Sequence, residues 1–408
     1  MKLNIHYTLV LAVYWFLSAI LSVFLIPLLR ERGFDTGQIS ILIAVRSVSS
    51  MIFQPLIASF AQRHSKTIPI RFIVLILCLI GVAATLVHLL FEIGFTVAIA
   101  VFVVYGGTLT CSSALIDAMS NQYVVAGKKL NYTVARTVGS ATWAFAALGL
   151  GNMIDFNGQG NTLLVIQIAA LLLLGILTVL LEDPDNSSQS IRVKTCKEDE
   201  TGHAIIDIIK GYPEFTLVLF ASVFIFIAHG INMTYLINKI EAVGGGTSEL
   251  GIAQFLLAIA EIFVPLYFFK LKNKFRIEGV VCIALTACSL RVVVTSLAPS
   301  IIVIYMGQLI ESLVALYYSG FVTFIREKLD RNDHIKAQGI LAAVQSAAGC
   351  LGTLLAVVVL NVTDVPELFV IISIIAVLGV ALLYGGYGII NSKKSRQLKC
   401  SREQGVSY

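Results

Sequence analysis

Charge is scarce in this chain: 13% of its residues are Asp, Glu, Lys or Arg, against about a quarter in an ordinary soluble domain. With 57% hydrophobic residues and a mean hydropathy of +0.88, that scarcity excludes a soluble globular protein. Recognisable catalytic or ligand-holding motifs are missing as well. No phosphate loop, no metal-ligand spacing and no nucleophile–His–acid pattern occurs in the 408 residues, so ATP-driven transport and enzyme chemistry are not expected. The seven cysteines are scattered, mostly inside apolar runs, and their odd number and irregular spacing suggest reduced thiols rather than disulfides or zinc. The net charge of +5 does not point to nucleic acid, because its basic residues sort by membrane side.

Apolar runs of spanning length, about 20 residues, recur from end to end. They cover 7–29, 37–61, 68–91, 93–119, 131–154, 162–181, 213–239, 248–270, 277–297, 299–325, 336–361 and 366–391, twelve in all. The first lacks a small-residue cleavage site and leads into the second, so it reads as a retained helix. Arg30, Arg32 and Lys239 fall on one side, Arg46, Arg136 and Arg291 fall within runs, and all other Lys and Arg fall on the opposite side. The positive-inside rule then places both termini in the cytoplasm.

The longest polar stretch, 182–213, has six runs before it and six after. The expected organisation is an all-α membrane protein: a six-helix bundle over 1–181, a cytoplasmic linker over 182–212, a second six-helix bundle over 213–392 and a basic tail over 393–408. The second helix of each half is expected to end in a Pro-Leu pair, at Pro55 and Pro265, followed by a basic loop, a weak internal repeat of the kind seen in transporters built from two related halves. Within the linker, "AIIDIIKGYP" has the pattern of a short amphipathic surface helix.

Charges inside spans are the most informative feature, because each costs about 2.5–3.5 kcal/mol at the bilayer centre even on the lenient insertion scale. Six are expected there: Arg46, Asp117, Arg136, Glu261, Arg291 and Glu311. Three bases and three acids suggest pairing around a shared, partly hydrated chamber. Arg136, Ser140 and Trp143 stand at i, i+4 and i+7, one helical stripe. Such a stripe can bind a polyol, the guanidinium bonding vicinal hydroxyls while the indole stacks on a sugar's apolar face; the bland alternative is an Arg locked to an acid and a Trp at the interface. Asp117 is the expected partner of Arg136.

Tyr305, Gln308 and Glu311 follow at i+3 steps, with Arg291 on a neighbouring span. A carboxyl in a dry site holds its proton, and an approaching guanidinium makes it let go. Glu311 and Arg291 are thus a proton-carrying pair or else a permanent helix clamp. Glu261, with Gln254 seven residues before it, either bonds substrate, relays a proton or pairs with Arg46. His229 and Asn232 could line the chamber, although a lone intramembrane His is more often a helix contact; His88 is placed near the outer interface. The stretches "GGTL" from Gly106, "GLG" from Gly149 and "GGYG" from Gly385 read as close helix packing.

Taken together, "IFQPL" at 52–56, "IDAM" at 116–119, "VARTVGSATWA" at 134–144, "AIAEI" at 258–262, "SLRVV" at 289–293 and "QLIES" at 308–312 resemble the bacterial lactose permease and its oligosaccharide/H⁺ symporter relatives in the major facilitator superfamily. The matches keep their order through both halves. The resemblance implies a sugar-binding acid at Asp117 with its arginine partner at Arg136, a stacking tryptophan at Trp143, an acid linking sugar to proton at Glu261, and a protonation site at Glu311 with Arg291. It also implies import of a di- or oligosaccharide with protons by alternating access, a monomer in the bacterial plasma membrane with lipid and a small-molecule substrate as its partners, and no cofactor beyond the proton.

The sequence departs from that family at several points. Gln308 and Tyr305 stand where the family's helix-ten histidine and lysine are expected, Gln345 lies near its helix-eleven lysine, and the matching acids are missing from His229 to Leu236. The superfamily's cytoplasmic signature is degraded at Ala58, Gln62 and Ser65. Arg46 looks more like an arginine of the phenylpropionate-type importers, a sister group, and supplies the alternative of an aromatic or organic acid as substrate. A multidrug exporter is a weaker alternative.

Overall fold

The computed structural model describes residues 2–64, 67–157, 160–182, 205–330 and 333–403. Ser65, most of the linker and the end of the tail lie outside the described residues. Within them every element is helical. The chain runs α1 (Lys2–Val23), α2 (Leu25–Glu31), α3 (Thr36–Arg63), α4 (Ile70–Leu90), α5 (Phe95–Val125), α6 (Tyr132–Asn157) and α7 (Gly160–Val179). After the linker come α8 (Ile205–Gly211), α9 (Pro213–Thr234), α10 (Leu236–Ala242), α11 (Thr247–Lys274), α12 (Ile277–Leu297), α13 (Ile301–Glu311), α14 (Ala315–Lys328), α15 (His334–Leu360) and α16 (Val365–Glu403).

Helices dominate because hydrocarbon offers the backbone no hydrogen-bond partner, and a helix satisfies its own N–H and C=O groups. Eleven of these segments are long and apolar enough to cross a membrane by length and composition, one short of the expected twelve. The difference is α6, which is 26 residues long but diluted by Arg136, Ser140 and Asn152. It packs on α1 and α11 within the bundle.

Three expected spans are interrupted. The first breaks at Phe24, between α1 and α2 and three residues before Pro27; the seventh breaks at Tyr235, between α9 and α10; the tenth passes through a 3-10 turn at Ser312–Val314, between α13 and α14. Pro55, in contrast, lies inside α3 well before its end at Arg63. The amphipathic linker helix is present as α8, which rests Ile208 in the core beside α9. His88, in the last turn of α4, is fully buried between helices. The polar residues nearest it, Thr85, Tyr105 and Gln167, bond to one another on α4, α5 and α7.

The two sets of helices meet tightly at one face. Gly251 on α11 faces α6, where a Cβ would come 2.5 Å from the Ala147 carbonyl oxygen, and a Cβ on Gly151 would come 2.5 Å from that of Thr247. Only residues without a side chain let the two backbones cross so closely. Around this crossing the Thr247 hydroxyl donates to the Gly151 carbonyl at 3.3 Å, Ser248 bonds Asn152, Arg30 pairs with Glu241, and the Tyr235 hydroxyl donates to Ser40 at 2.9 Å. A Cβ on Gly37, at the start of α3, would likewise touch Asn361 at the end of α15.

One apolar core runs through α1–α7 and continues into the parts of α9–α13 and α15–α16 at that face. At the other face, where α1 begins and α16 ends, the C-terminal helices have their own core around Phe215, Tyr317, Phe321 and Phe324. There α3 has no buried residue from Met51 to Phe60. The two sets of helices are in backbone contact at the face away from the termini, whereas at the face that carries them α3 leaves Met51 to Phe60 unburied.

Candidate functional site

The stripe expected on α6 is present: Arg136, Ser140 and Trp143 are each half-buried. The guanidinium carbon of Arg136 lies 3.9 Å from the ring centre of Trp15 on α1. The indole fits there because Gly139 leaves a notch; a Cβ at that glycine would come 2.5 Å from Trp15 Cδ1. Tyr14 stands edge-on to Trp15 at 5.7 Å. Trp143 packs against Ala144, Leu257 and Ala258 where α6 meets α11. Trp15 was not legible as a site residue, because it sits in an apolar run with no charged neighbour; the available signal was that it is one of only two tryptophans in the chain.

Asp117 does not pair with Arg136. Its Oδ1 accepts from the Tyr132 hydroxyl at 2.9 Å, so the first residue of α6 takes the carboxylate while Arg136, one turn on, crosses to α1. Among the described residues no carboxylate lies within ion-pair distance of Arg136. Arg46 also goes without an acid, so its expected pairing with Glu261 is not formed. Its Nη1 donates to the Leu21 carbonyl at 2.7 Å, immediately before the α1–α2 break, where the helical bond ladder is interrupted. Gly106 of the first glycine stretch lies against the backbone of Arg46 and so lets α5 approach α3.

In the C-terminal helices the expected cluster forms, and it is dry. Arg291 is 0% and Glu311 3% exposed. Arg291 Nη1 lies 3.4 Å from Glu311 Oε2, and its Nη2 donates to Gln308 Oε1 at 3.0 Å and contacts the Met233 sulfur at 3.0 Å. Glu311 is the last residue of α13, so the 3-10 turn begins directly after it. A 3-10 stretch inside a span often marks a hinge.

His229, for which the sequence allows either chamber lining or a helix contact, faces this cluster. Its Nδ1 is 3.4 Å from Glu311 Oε1. Donor atoms of His229, Cys288 and Glu311 lie within 4.8 Å of one another, the reach of a metal site. The Arg291 guanidinium beside Glu311 opposes a second cation there, since opposite and like charges interact strongly in a dry interior.

Glu261 connects the two clusters. It is half-buried and lies within electrostatic reach of Glu311, Arg136 and Arg291. Asn232, Gln254 and Gln308 are buried, with amide atoms that bond no protein group. Leaving such atoms unbonded costs about 1–3 kcal/mol each, so they are ready donors and acceptors.

The MFS_1 like family matches residues 5–371. No curated relative matches the chain in sequence. Among solved structures, the nucleoside transporter NupG is similar with a TM-score of 0.75 at 16% identity, covering 96% of this chain and 99% of that one. A mutant of the same transporter gives 0.74 at 14% identity, covering 93% and 100%. At that identity the likeness describes the fold.

Proposed function

The chain belongs to the MFS_1 like family and is a membrane transporter of the major facilitator type; from that premise we propose that it imports a di- or oligosaccharide together with protons, by alternating access. The observation that carries this reading is Arg136: a half-buried guanidinium with no carboxylate partner among the described residues, stacked on Trp15 and sharing a helix stripe with Ser140 and Trp143. Its N–H donors are available to vicinal hydroxyls, and the two indoles supply faces for the apolar side of a sugar ring. Asp117, Glu261 and Gln308 complete the proposed binding set.

Proton coupling falls to Glu311. A buried carboxyl that loses its proton needs a counter-charge, and Arg291 stands ready at 3.4 Å. Glu261, within reach of both Arg136 and Glu311, is the proposed link between substrate and proton. The distribution of Lys and Arg supports the face that carries the termini as the cytoplasmic one, so the sealed face opens to load substrate. The bacterial plasma membrane, a monomeric state and the two-bundle division at the linker belong to this proposal.

A second reading is favoured by one observation: among the described residues neither Arg46 nor Arg136 has an acid partner, which suits a substrate carboxylate such as that of an aromatic acid. NupG, of like fold, transports nucleosides, and a ribose also offers vicinal hydroxyls, so nucleosides belong in any substrate screen. The coupling assignment is tested with Glu311→Gln in membrane vesicles. Uptake driven by a proton gradient is expected to vanish while substrate exchange persists; gradient-driven uptake at the parental rate would refute it.

A further inference from the structure

Glu311 is sealed on nearly every side, which raises the question of how a proton reaches it. Arg291, Gln308 and Cys288, its neighbours on α12 and α13, are fully buried. The ring touching its other oxygen is His229, reaching across from α9, with Nδ1 buried and bonded to no protein donor. That side chain is 19% exposed against 4% for Glu311. One edge of the imidazole therefore meets the carboxyl while about a fifth of the side chain stays accessible.

We infer that His229 is the relay through which the proton enters and leaves Glu311. A proton from water binds Nε2 of the neutral ring, the Nδ1–H bond breaks, and an O–H bond forms at Glu311 Oε1. The ring ends neutral in its other tautomer and is reset by exchange with water; departure is the reverse. Imidazole suits this task because both of its nitrogens can carry the proton. The charged and titratable groups facing the pair are Arg291 and Cys288 from α12, Glu261 from α11 and Tyr317 and Tyr318 from α14. Of the other helices packed on α9, α15 has no charge from Ala337 to Leu360 and α16 none from Leu368 to Asn391, while the short α8 and α10, which precede and follow α9 in the chain, carry Asp207, Lys210, Lys239 and Glu241. Glu261, half-exposed, is the competing entry.

The inference rests on Glu311 as the proton carrier, and the test separates the two. In purified full-length protein, the carboxyl C=O infrared band that appears after a pH jump is assigned to Glu311 by its loss in Glu311→Gln. With His229→Gln the band is expected to reach its full height about a hundredfold more slowly, the low end of what a positioned proton-transfer group contributes. In His229→Ala, added imidazole is expected to restore the rate, which a merely structural role would not allow. Parental kinetics in His229→Gln, or slowing by Glu261→Gln in its place, would overturn the relay. Absence of any band that Glu311→Gln removes would overturn the carrier and the relay with it.

Discussion

Replacing Gly251 with leucine is expected to force the sealed face open. The new Cβ would lie 2.5 Å from the Ala147 carbonyl oxygen and 3.3 Å from the Leu148 Cα, and both obstacles are backbone. Neither can step aside as a side chain could, so α6 and α11 must separate. Overpacking of this kind costs about 1–3 kcal/mol. Leucine also gains about 1 kcal/mol of helix propensity over glycine, but that gain is common to the sealed and open states and leaves their ratio unchanged. A penalty confined to the sealed state shifts the equilibrium by about 5- to 150-fold toward opening at that face.

The assay is the rate at which a membrane-impermeant maleimide, added outside right-side-out vesicles, labels Ser140→Cys, with the labelling of the parent subtracted. Cys78, Cys111, Cys282 and Cys288 are buried, which keeps that background low. While the open state is a minority, the labelling rate follows its population. Gly149 on the same helix has nothing within 4 Å of its Cβ position, so Gly149→Leu is the control and should leave the rate unchanged. Equal labelling in Gly251→Leu and the parent would refute the reasoning that backbone contact at this crossing holds the face shut.

Trp15→Ala removes the ring under Arg136 and with it about 0.5–2 kcal/mol of cation–π attraction; equilibrium binding should weaken by several-fold and recover in Trp15→Phe. Tyr132→Phe deletes the hydroxyl bonded to Asp117, worth about 1.5–3 kcal/mol for a bond to a charged group, which lowers the melting temperature of the purified protein. Arg46→Leu distinguishes the two roles of that residue. If capping Leu21 is its task, thermal stability falls for every substrate class, whereas loss of binding confined to organic acids at unchanged stability would support the carboxylate reading.

Much of the site was legible because charge in lipid is costly enough to stand out. Arg136, Glu261, Arg291 and Glu311 each announce themselves against apolar neighbours, and i+3 or i+4 spacing fixes which of them share a face. Partnership across helices was not legible in the same way. Asp117 and Arg136 look like a pair from charge alone, yet Tyr132 intervenes and Trp15 takes the guanidinium, and neither contact leaves a mark in local spacing. His229 was undervalued for the same reason: its distance to Glu311 depends on how α9 and α13 pack. The interruptions at Phe24 and Ser312–Val314 fall within continuous apolar runs, so hydropathy passes over them. Polarity on one stripe likewise hid α6 from a count of spans by composition.

The most direct test of proton-coupled sugar import is the external pH of weakly buffered, right-side-out vesicles when candidate substrates are added one class at a time: disaccharides, nucleosides and 3-phenylpropionate. Alkalinisation on adding a disaccharide, lost in Glu311→Gln, is the predicted result. Disaccharide uptake with no change in pH would contradict coupling, and alkalinisation with nucleosides or phenylpropionate alone would contradict the sugar.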